Sequence, residues 1–211
     1  MRRKPRLLVG CESSGTVRDA FARLGWDAWS CDLLPADGQH IQNDVTKILL
    51  TDTWDLMIAH PPCTYLAVSG MHWTTRGFRP KQLTEDALDF VRVLMEAPVP
   101  FIAIENPVSV ISSRIRKPDQ TIQPYQFGHS VSKRTCLWLK DLPALVPTEY
   151  VEPERYVDGK PRWSNQAPCG ADRTPPSADR WRTRSKTHQG IADAMAEQWT
   201  QHIAETTNFF A

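Results

Sequence analysis

The residues best suited to chemistry in this sequence lie in the run His60-Pro61-Pro62-Cys63-Thr64. Two prolines stiffen the backbone just beyond the apolar run Leu56-Met57-Ile58-Ala59, so the side chain that follows is held in a fixed direction. Cysteine at that place is hard to explain as packing. A thiolate is a strong, soft nucleophile even when only a small fraction of the thiol is ionised, and it suits addition to carbon 6 of a pyrimidine. Glu105-Asn106-Pro107 follows a second apolar run, Phe101-Ile102-Ala103-Ile104. Addition at carbon 6 places negative charge on the ring, and a carboxylic acid that hydrogen-bonds or protonates ring nitrogen 3 offsets it. That role calls for a raised pKa at Glu105.

A third cluster, Cys11-Glu12-Ser13-Ser14-Gly15, separates a strand-like run from a helical pattern. A tight turn there lets backbone amides approach a nucleotide, although one glycine in such a turn is common to many α/β proteins. Asp32 comes about 20 residues on, where an acid either hydrogen-bonds ribose hydroxyls or caps a loop. Asn43-Asp44-Val45 is either an adenine contact or a plain turn.

These clusters need a frame, and four apolar runs supply it: Arg6 to Gly10, Ala28 to Cys31, Leu56 to Ala59 and Phe101 to Ile104. Each reads as a buried strand. Helical patterns lie between them, Val17 to Leu24 before Gly25 and Thr84 to Glu96 before Pro98, with Ser14 and Thr84 as expected N-caps. Alternating strand and helix predicts an α/β fold with a mostly parallel sheet. Ligands of such sheets collect at the carboxyl ends of the strands, so all four polar clusters face one rim. Cys136 to Leu139 reads as a further strand, and Gly190 to Glu205 as a last helix packing back on the core.

Composition sets the limits. A chain of 211 residues, 41% hydrophobic, buries one substantial core, and a single domain is expected over 1–211. A formal net charge of +1 leaves any nucleic-acid site to a local patch. The apolar runs are too short to span a bilayer and the basic start lacks a signal-peptide core, so a soluble, cytoplasmic protein is expected. Five cysteines without a Cys-x-x-Cys pair argue against a disulfide framework or structural zinc, and no metal is expected. From 140 to 187 the composition turns Pro- and Arg-rich, with eight basic against three acidic residues between 155 and 186. Trp163 and Trp181 stand among those arginines as candidate stacking groups, in a segment that otherwise reads as an ordinary solvated loop.

Together these residues resemble the DNA cytosine carbon-5 methyltransferase family, in a compact form of the kind phages and mobile elements encode. Pro61-Pro62-Cys63 matches its nucleophile motif, Glu105-Asn106 its Glu-Asn pair, Ser13-Ser14-Gly15 with Asp32 its cofactor motifs, and Lys133-Arg134 its basic motif. Ser69-Gly70 and Arg76-Gly77 are similar to its mobile substrate-closing loop, and residues 190 to 199 faintly to its last cofactor motif. The resemblance spans residues 7 to 139 and implies a Rossmann-like S-adenosylmethionine-dependent fold.

It implies Cys63, Glu105 and Arg134 as catalytic residues acting on a cytosine flipped out of double-stranded DNA. It implies S-adenosylmethionine contacts from Gly10, Glu12, Ser13, Ser14 and Gly15, and from Asp32, Leu33, Asp44 and Pro61. Substrate contacts fall to Pro62, Thr64, Ser69, Arg76, Asn106 and Lys133, with Arg162, Arg182 and Arg184 in the reduced recognition insertion at 140–187. Residues 188–211 supply the closing helix; the oligomeric state stays open, with a monomer compatible with the reading.

The sequence departs from the family at Glu12-Ser13-Ser14-Gly15, which replaces a Gly-x-Gly-Gly turn, at Thr64, and at Cys136, where a second arginine is usual. Three alternatives stay open: a catalytically idle nucleic-acid binder, an RNA-directed relative, and an amino-methyltransferase. The last needs an acidic or amide residue at 60 and an aromatic at 63.

Overall fold

A computed structural model describes residues 3–174, 177 and 184–207. Its centre is a seven-stranded sheet in the order β3-β2-β1-β4-β5-β7-β6. The strands are β1 (Arg6–Gly10), β2 (Asp27–Asp32), β3 (His40–Gln42), β4 (Leu56–Ala59), β5 (Phe101–Pro107), β6 (Gln120–Ile122) and β7 (Thr135–Lys140). The first five run parallel, and β7 runs antiparallel to both β5 and β6. The fold is thus a Rossmann-like α/β fold with a mostly parallel sheet.

The near-continuous apolar runs of β1, β4 and β5 are explained by burial on both faces. Alternation sorts their side chains. Leu7, Val9, Leu56, Ile58, Ala103 and Leu137 pack on one face with Val17 and Phe21 of α1 (Thr16–Arg23). Leu8, Met57, Ile102, Ile104, Cys136 and Trp138 pack on the other with Val45 and Leu49 of α2 (Val45–Thr51) and Leu88, Val91 and Leu94 of α4 (Gln82–Met95). Between β4 and α4 lies the short α3 (Met71–Thr75), and after β5 the single turn α5 (Ile111–Arg114). The last helix, α6 (Gln189–Thr206), lays Ile191, Met195, Trp199 and Ile203 onto the face of α1. Its second residue must be glycine, because a Cβ at Gly190 would lie 1.9 Å from the Phe127 carbonyl oxygen.

The four strand runs, the Cys136 strand and the long helices lie where the sequence places them, within a few residues. The caps do not. Gly15, in the left-handed region at φ 69°, occupies the N-cap of α1, and Thr84 lies inside α4, whose N-cap is Lys81. Asp44 settles as the N-cap of α2, its carboxylate accepting from the Thr46 amide at 2.9 Å, so the Asn43-Asp44 turn has a structural task. β3, α2 and β6 are short elements with little periodicity, and sequence reading passes over them.

After β7, the described part of the 140–187 segment holds a hairpin of β8 (Arg155–Val157) and β9 (Lys160–Arg162). It turns at Asp158 and Gly159, both at positive φ. Trp163 is buried, stacked on Tyr125 with ring centroids 4.1 Å apart, and so anchors the hairpin instead of offering a stacking surface. Arg162 donates to the Pro168 and Pro161 carbonyls. Trp181 and Arg182 lie outside the described residues. No helix among the described residues is long and apolar enough to cross a membrane.

Candidate active site

Strand order reverses between β1 and β4: from β1 the chain builds outward through β2 and β3, then crosses back to β4 and β5 on the other side. Open α/β sheets bind ligands in the crevice at such a switch point. The two loops that leave the carboxyl ends of β1 and β4 are Cys11 to Gly15 and His60 to Thr64. The His60 amide donates to the Gly10 carbonyl at 2.9 Å, which fixes the start of the second loop against the first strand.

The register of β4 on β5 pairs Ala59 with Ile104, so the next residues, His60 and Glu105, fall side by side. His60 Nδ1 lies 3.5 Å from Glu105 Oε2, with side chains only 11% and 14% exposed. At that separation the two are in charge contact without a well-made hydrogen bond, and neither ring nitrogen of His60 has another partner. Asn106 is buried and its amide donates to the Pro61 carbonyl at 2.7 Å. The substrate contact expected of Asn106 is therefore replaced by a positioning one: it holds the Pro-Pro turn to β5.

Cys63 is exposed at the rim. Its carbonyl accepts from the Leu66 and Ala67 amides, and Val68 and Val110 bond to Val108 and Leu66. The segment after the cysteine is thereby stitched to the segment after β5, which fixes Cys63 relative to Glu105. Desolvation by its neighbours and the Glu105 charge push the thiol up, while Lys133 and Arg184 pull it down. Glu105 itself departs from expectation. Burial raises it, but His60, Lys133 and His188 more than offset this and hold it below the ordinary carboxylate range. Burial likewise disfavours charge on His60, yet Glu105 and Glu12 outweigh it and raise the imidazole. The pair is an ion pair at rest, and the raised Glu105 pKa expected from the carbon-6 chemistry is not a property of the unliganded protein.

Of the basic motif, Lys133 is half-buried, and its charge acts on His60, Cys63, Glu105 and His188. Arg134 is exposed, and its charge bears on Tyr125 and Cys136 instead. Lys133 is held from behind, because Asn165 both accepts from and donates to the backbone of Ser132. Arg184 pairs with Asp172 at 3.3 Å. Pro62, Thr64, Ser69 and Arg76 are exposed, as are Trp73 and Phe78, which meet edge to face at 5.6 Å in the loop after Cys63.

The first loop is satisfied from within. Glu12 is buried, its carboxylate accepting from the Val17 and Arg18 amides and the Ser14 hydroxyl. It does for α1 what Ser14 was expected to do. Arg18 is also buried, donating to the Ser30 hydroxyl at 3.0 Å and the Asp37 carbonyl at 2.7 Å. A Cβ at Gly15 would lie 2.3 Å from this guanidinium, so the glycine makes room for an arginine of its own helix. The direct cofactor contact implied for the Glu12 carboxylate gives way to a capping role.

This loop leaves an apolar side chain and a carboxylate oxygen open at the rim. Leu33 is 73% exposed, and it follows Asp32, whose Oδ1 accepts from the Leu34 amide. Asp32 and Asp44 both act on Cys11, so the rim is negative there. Burial and those charges push the Cys11 thiol up to about 12, and it is no nucleophile. Gly10 and Pro61 are buried at the floor and Ser13 is half-buried. Two hollows, lined by Arg3, Arg6 and Trp26 and by Phe101, Lys140 and His202, lie at the opposite edge of the sheet.

Residue type and spacing give His60 no role and leave His188 unmarked. Only the position of His60, a polar residue ending a buried strand, signals it. His188 caps α6, 5.1 Å from the ring of His129, and burial with Lys133 and His129 lowers it to about 4.

No family model and no curated protein matches the sequence. Solved structures similar to the chain include a protein named as a DNA modification methyltransferase encoded within an E. coli prophage. It is 16% identical with a TM-score of 0.48 over 70% of this chain and 52% of that one. The Entamoeba histolytica methyltransferase EhMeth is 15% identical with a TM-score of 0.46, over 74% and 62%. The chain spans about half the length of the first and under two thirds of the second. Likeness this distant decides nothing about chemistry, which rests on the geometry above.

Proposed function

We propose that this chain transfers a methyl group from S-adenosylmethionine to carbon 5 of cytosine in DNA, with Cys63 adding to carbon 6. The observation that supports this most is the exposed thiol on a Pro-Pro turn at the carboxyl end of β4, next to the switch point and within reach of the Glu105 and Lys133 charges. Bound in that crevice, the cofactor supplies an electrophilic methyl group. Leu33 and Asp32 would hold its adenosyl part, and the charges of Asp32 and Asp44 favour its cationic centre.

The protein's own residues prepare the base. A cytosine must leave the stack for carbon 6 to be reached. Cys63 forms the bond to carbon 6, Glu105 holds ring nitrogen 3 so that charge does not accumulate on the ring, and Lys133 favours the thiolate. Exposed Trp73 and Phe78, with Arg76 beside them, offer stacking and phosphate contacts for the strand around the extruded base.

Cys63→Ser tests the reading. Methyl transfer to DNA is expected to vanish while S-adenosylmethionine still binds, and normal turnover by the serine variant would overturn it. The raised Cys63 thiol supports a second reading, a DNA binder without turnover. Cofactor binding by the wild type without any methyl transfer would favour that one.

A further inference from the structure

His60 stands at the rim beside Glu105, and carbon-5 chemistry assigns it no task. Its main chain is fixed to Gly10, its side chain stands 3.5 Å from Glu105, and its two ring nitrogens are sealed from solvent without a hydrogen bond. An unsatisfied buried polar group is costly, and a leucine or phenylalanine would fill the same place at the end of β4 without that cost. The strand register leaves no choice of neighbour: with Ala59 opposite Ile104, whatever occupies position 60 faces Glu105.

Resting on the carbon-5 reading, we infer that His60 is the proton reservoir for Glu105, releasing a proton through the carboxylate to ring nitrogen 3 of cytosine as Cys63 attacks. The step balances. The Cys63 thiol first loses its proton to water; the sulfur to carbon 6 bond then forms from the thiolate pair, and the ring electrons displaced toward nitrogen 3 take up the proton from His60. The Nδ1–H bond of the imidazolium breaks, and Glu105 ends as it began, a carboxylate. A thiolate, an imidazolium and a neutral cytosine become a neutral imidazole and a neutral adduct. After methyl transfer the carbon 5 proton is lost to water, its electron pair expels Cys63 as the thiolate, and nitrogen 3 returns its own proton by the same path.

The surroundings hold the proton in place at rest. Glu105 on β5 and Glu12 from the β1 loop favour the imidazolium, Lys133 ahead of β7 opposes it, and His60 with Lys133 keeps Glu105 ionised. A carboxylate at rest and a proton donor in the reaction are thus reconciled, because the donor's proton is stored one residue away. His60 touches no substrate atom and acts through Glu105, so it is a positioning residue.

The test is the pH dependence of single-turnover methyl transfer by the wild type, His60→Gln and His60→Asn, with nitrogen-15 imidazole NMR on the full chain. Thiolate is gained and imidazolium lost as pH rises, so the wild-type rate should climb with pH and level off through the His60 titration. His60→Gln should lose about 100-fold near neutral pH, the span of one general acid, and keep climbing where the wild type levels off, with unchanged DNA affinity. The His60 resonance should titrate above 6.5, the ordinary value, and move down in Glu105→Gln. A wild-type profile retained by both His60 variants, or a His60 that is neutral below 6.5, overturns the reservoir alone. A wild type that transfers no methyl group under any of these conditions overturns the carbon-5 reading and the reservoir with it.

Discussion

The two loops that flank the switch point are built in opposite ways. In the β1 loop every strong polar group is answered from within: Glu12 caps α1, Arg18 fills the space beside Gly15 and reaches Ser30 and Asp37, and Ser14 bonds to Glu12. In the β4 loop the polar groups are left open. Among the described residues His60 has no hydrogen bond on either ring nitrogen, Asn106 Oδ1 on the adjoining β5 is buried without a partner, and Cys63 is exposed. A satisfied network rigidifies, whereas unsatisfied buried groups persist only where something else fills their need. In the proposed reaction the β1 loop is thus a wall and the β4 loop the place of reaction.

The comparison breaks most visibly if the wall and the reactive loop respond alike to substitution. Asn106→Ala should cost about 1–3 kcal/mol in urea unfolding, because the Pro61 carbonyl loses its buried donor. It should also lower methyl transfer, since Cys63 is no longer held against β5. Glu12→Ala should cost about 2 kcal/mol by the same measurement, removing a carboxylate that caps two amides of α1. Its effect on transfer should follow from stability alone, so a lower growth of activity loss than in Asn106→Ala sharpens the contrast.

A smaller effect distinguishes the loops by pH. Glu105 lies below its unfolded value near 4.5, so its stabilisation is present above that pH and is lost as pH falls through the folded pKa. His60 lies above its unfolded value of 6.5, so its stabilisation is complete below 6.5 and is lost as pH rises through the folded pKa. The difference in urea midpoint between wild type and His60→Gln should therefore be largest between about 4.5 and 6.5 and shrink on both sides. A difference that does not vary with pH would remove the ion pair from the account. Smallest of all, brief alkylation with peptide mapping should label Cys63 ahead of Cys11, whose thiol is raised to about 12. Equal labelling would contradict the assignment of wall and reactive loop.

What the sequence discloses here is what one strand can disclose. Leu56 to Ala59 is apolar at every position because β4 is covered on both faces, and Gly25 and Pro98 mark helix ends by their own backbone chemistry. Cys63 stands out because the residues before it are prolines. The His60 and Glu105 pair is invisible at that level, since it arises from the register of two strands 45 residues apart. The capping of α1 by Glu12 is hidden for a similar reason: Ser14 is the usual residue type at the usual place, and tertiary geometry gives the task to a carboxylate further back. Trp163 among arginines reads as an exposed base-stacking residue, and only its contact with Tyr125 shows it to be an anchor.

The central claim is a covalent bond between Cys63 and carbon 6 of cytosine, and 5-fluorocytosine in DNA tests it most directly, since fluorine at carbon 5 blocks the step that releases the thiol. Wild-type protein incubated with S-adenosylmethionine and such DNA should yield a denaturation-resistant adduct that peptide mass spectrometry places on Cys63. An adduct on another residue, or methyl transfer to unmodified cytosine with no adduct on the fluorinated base, would contradict it.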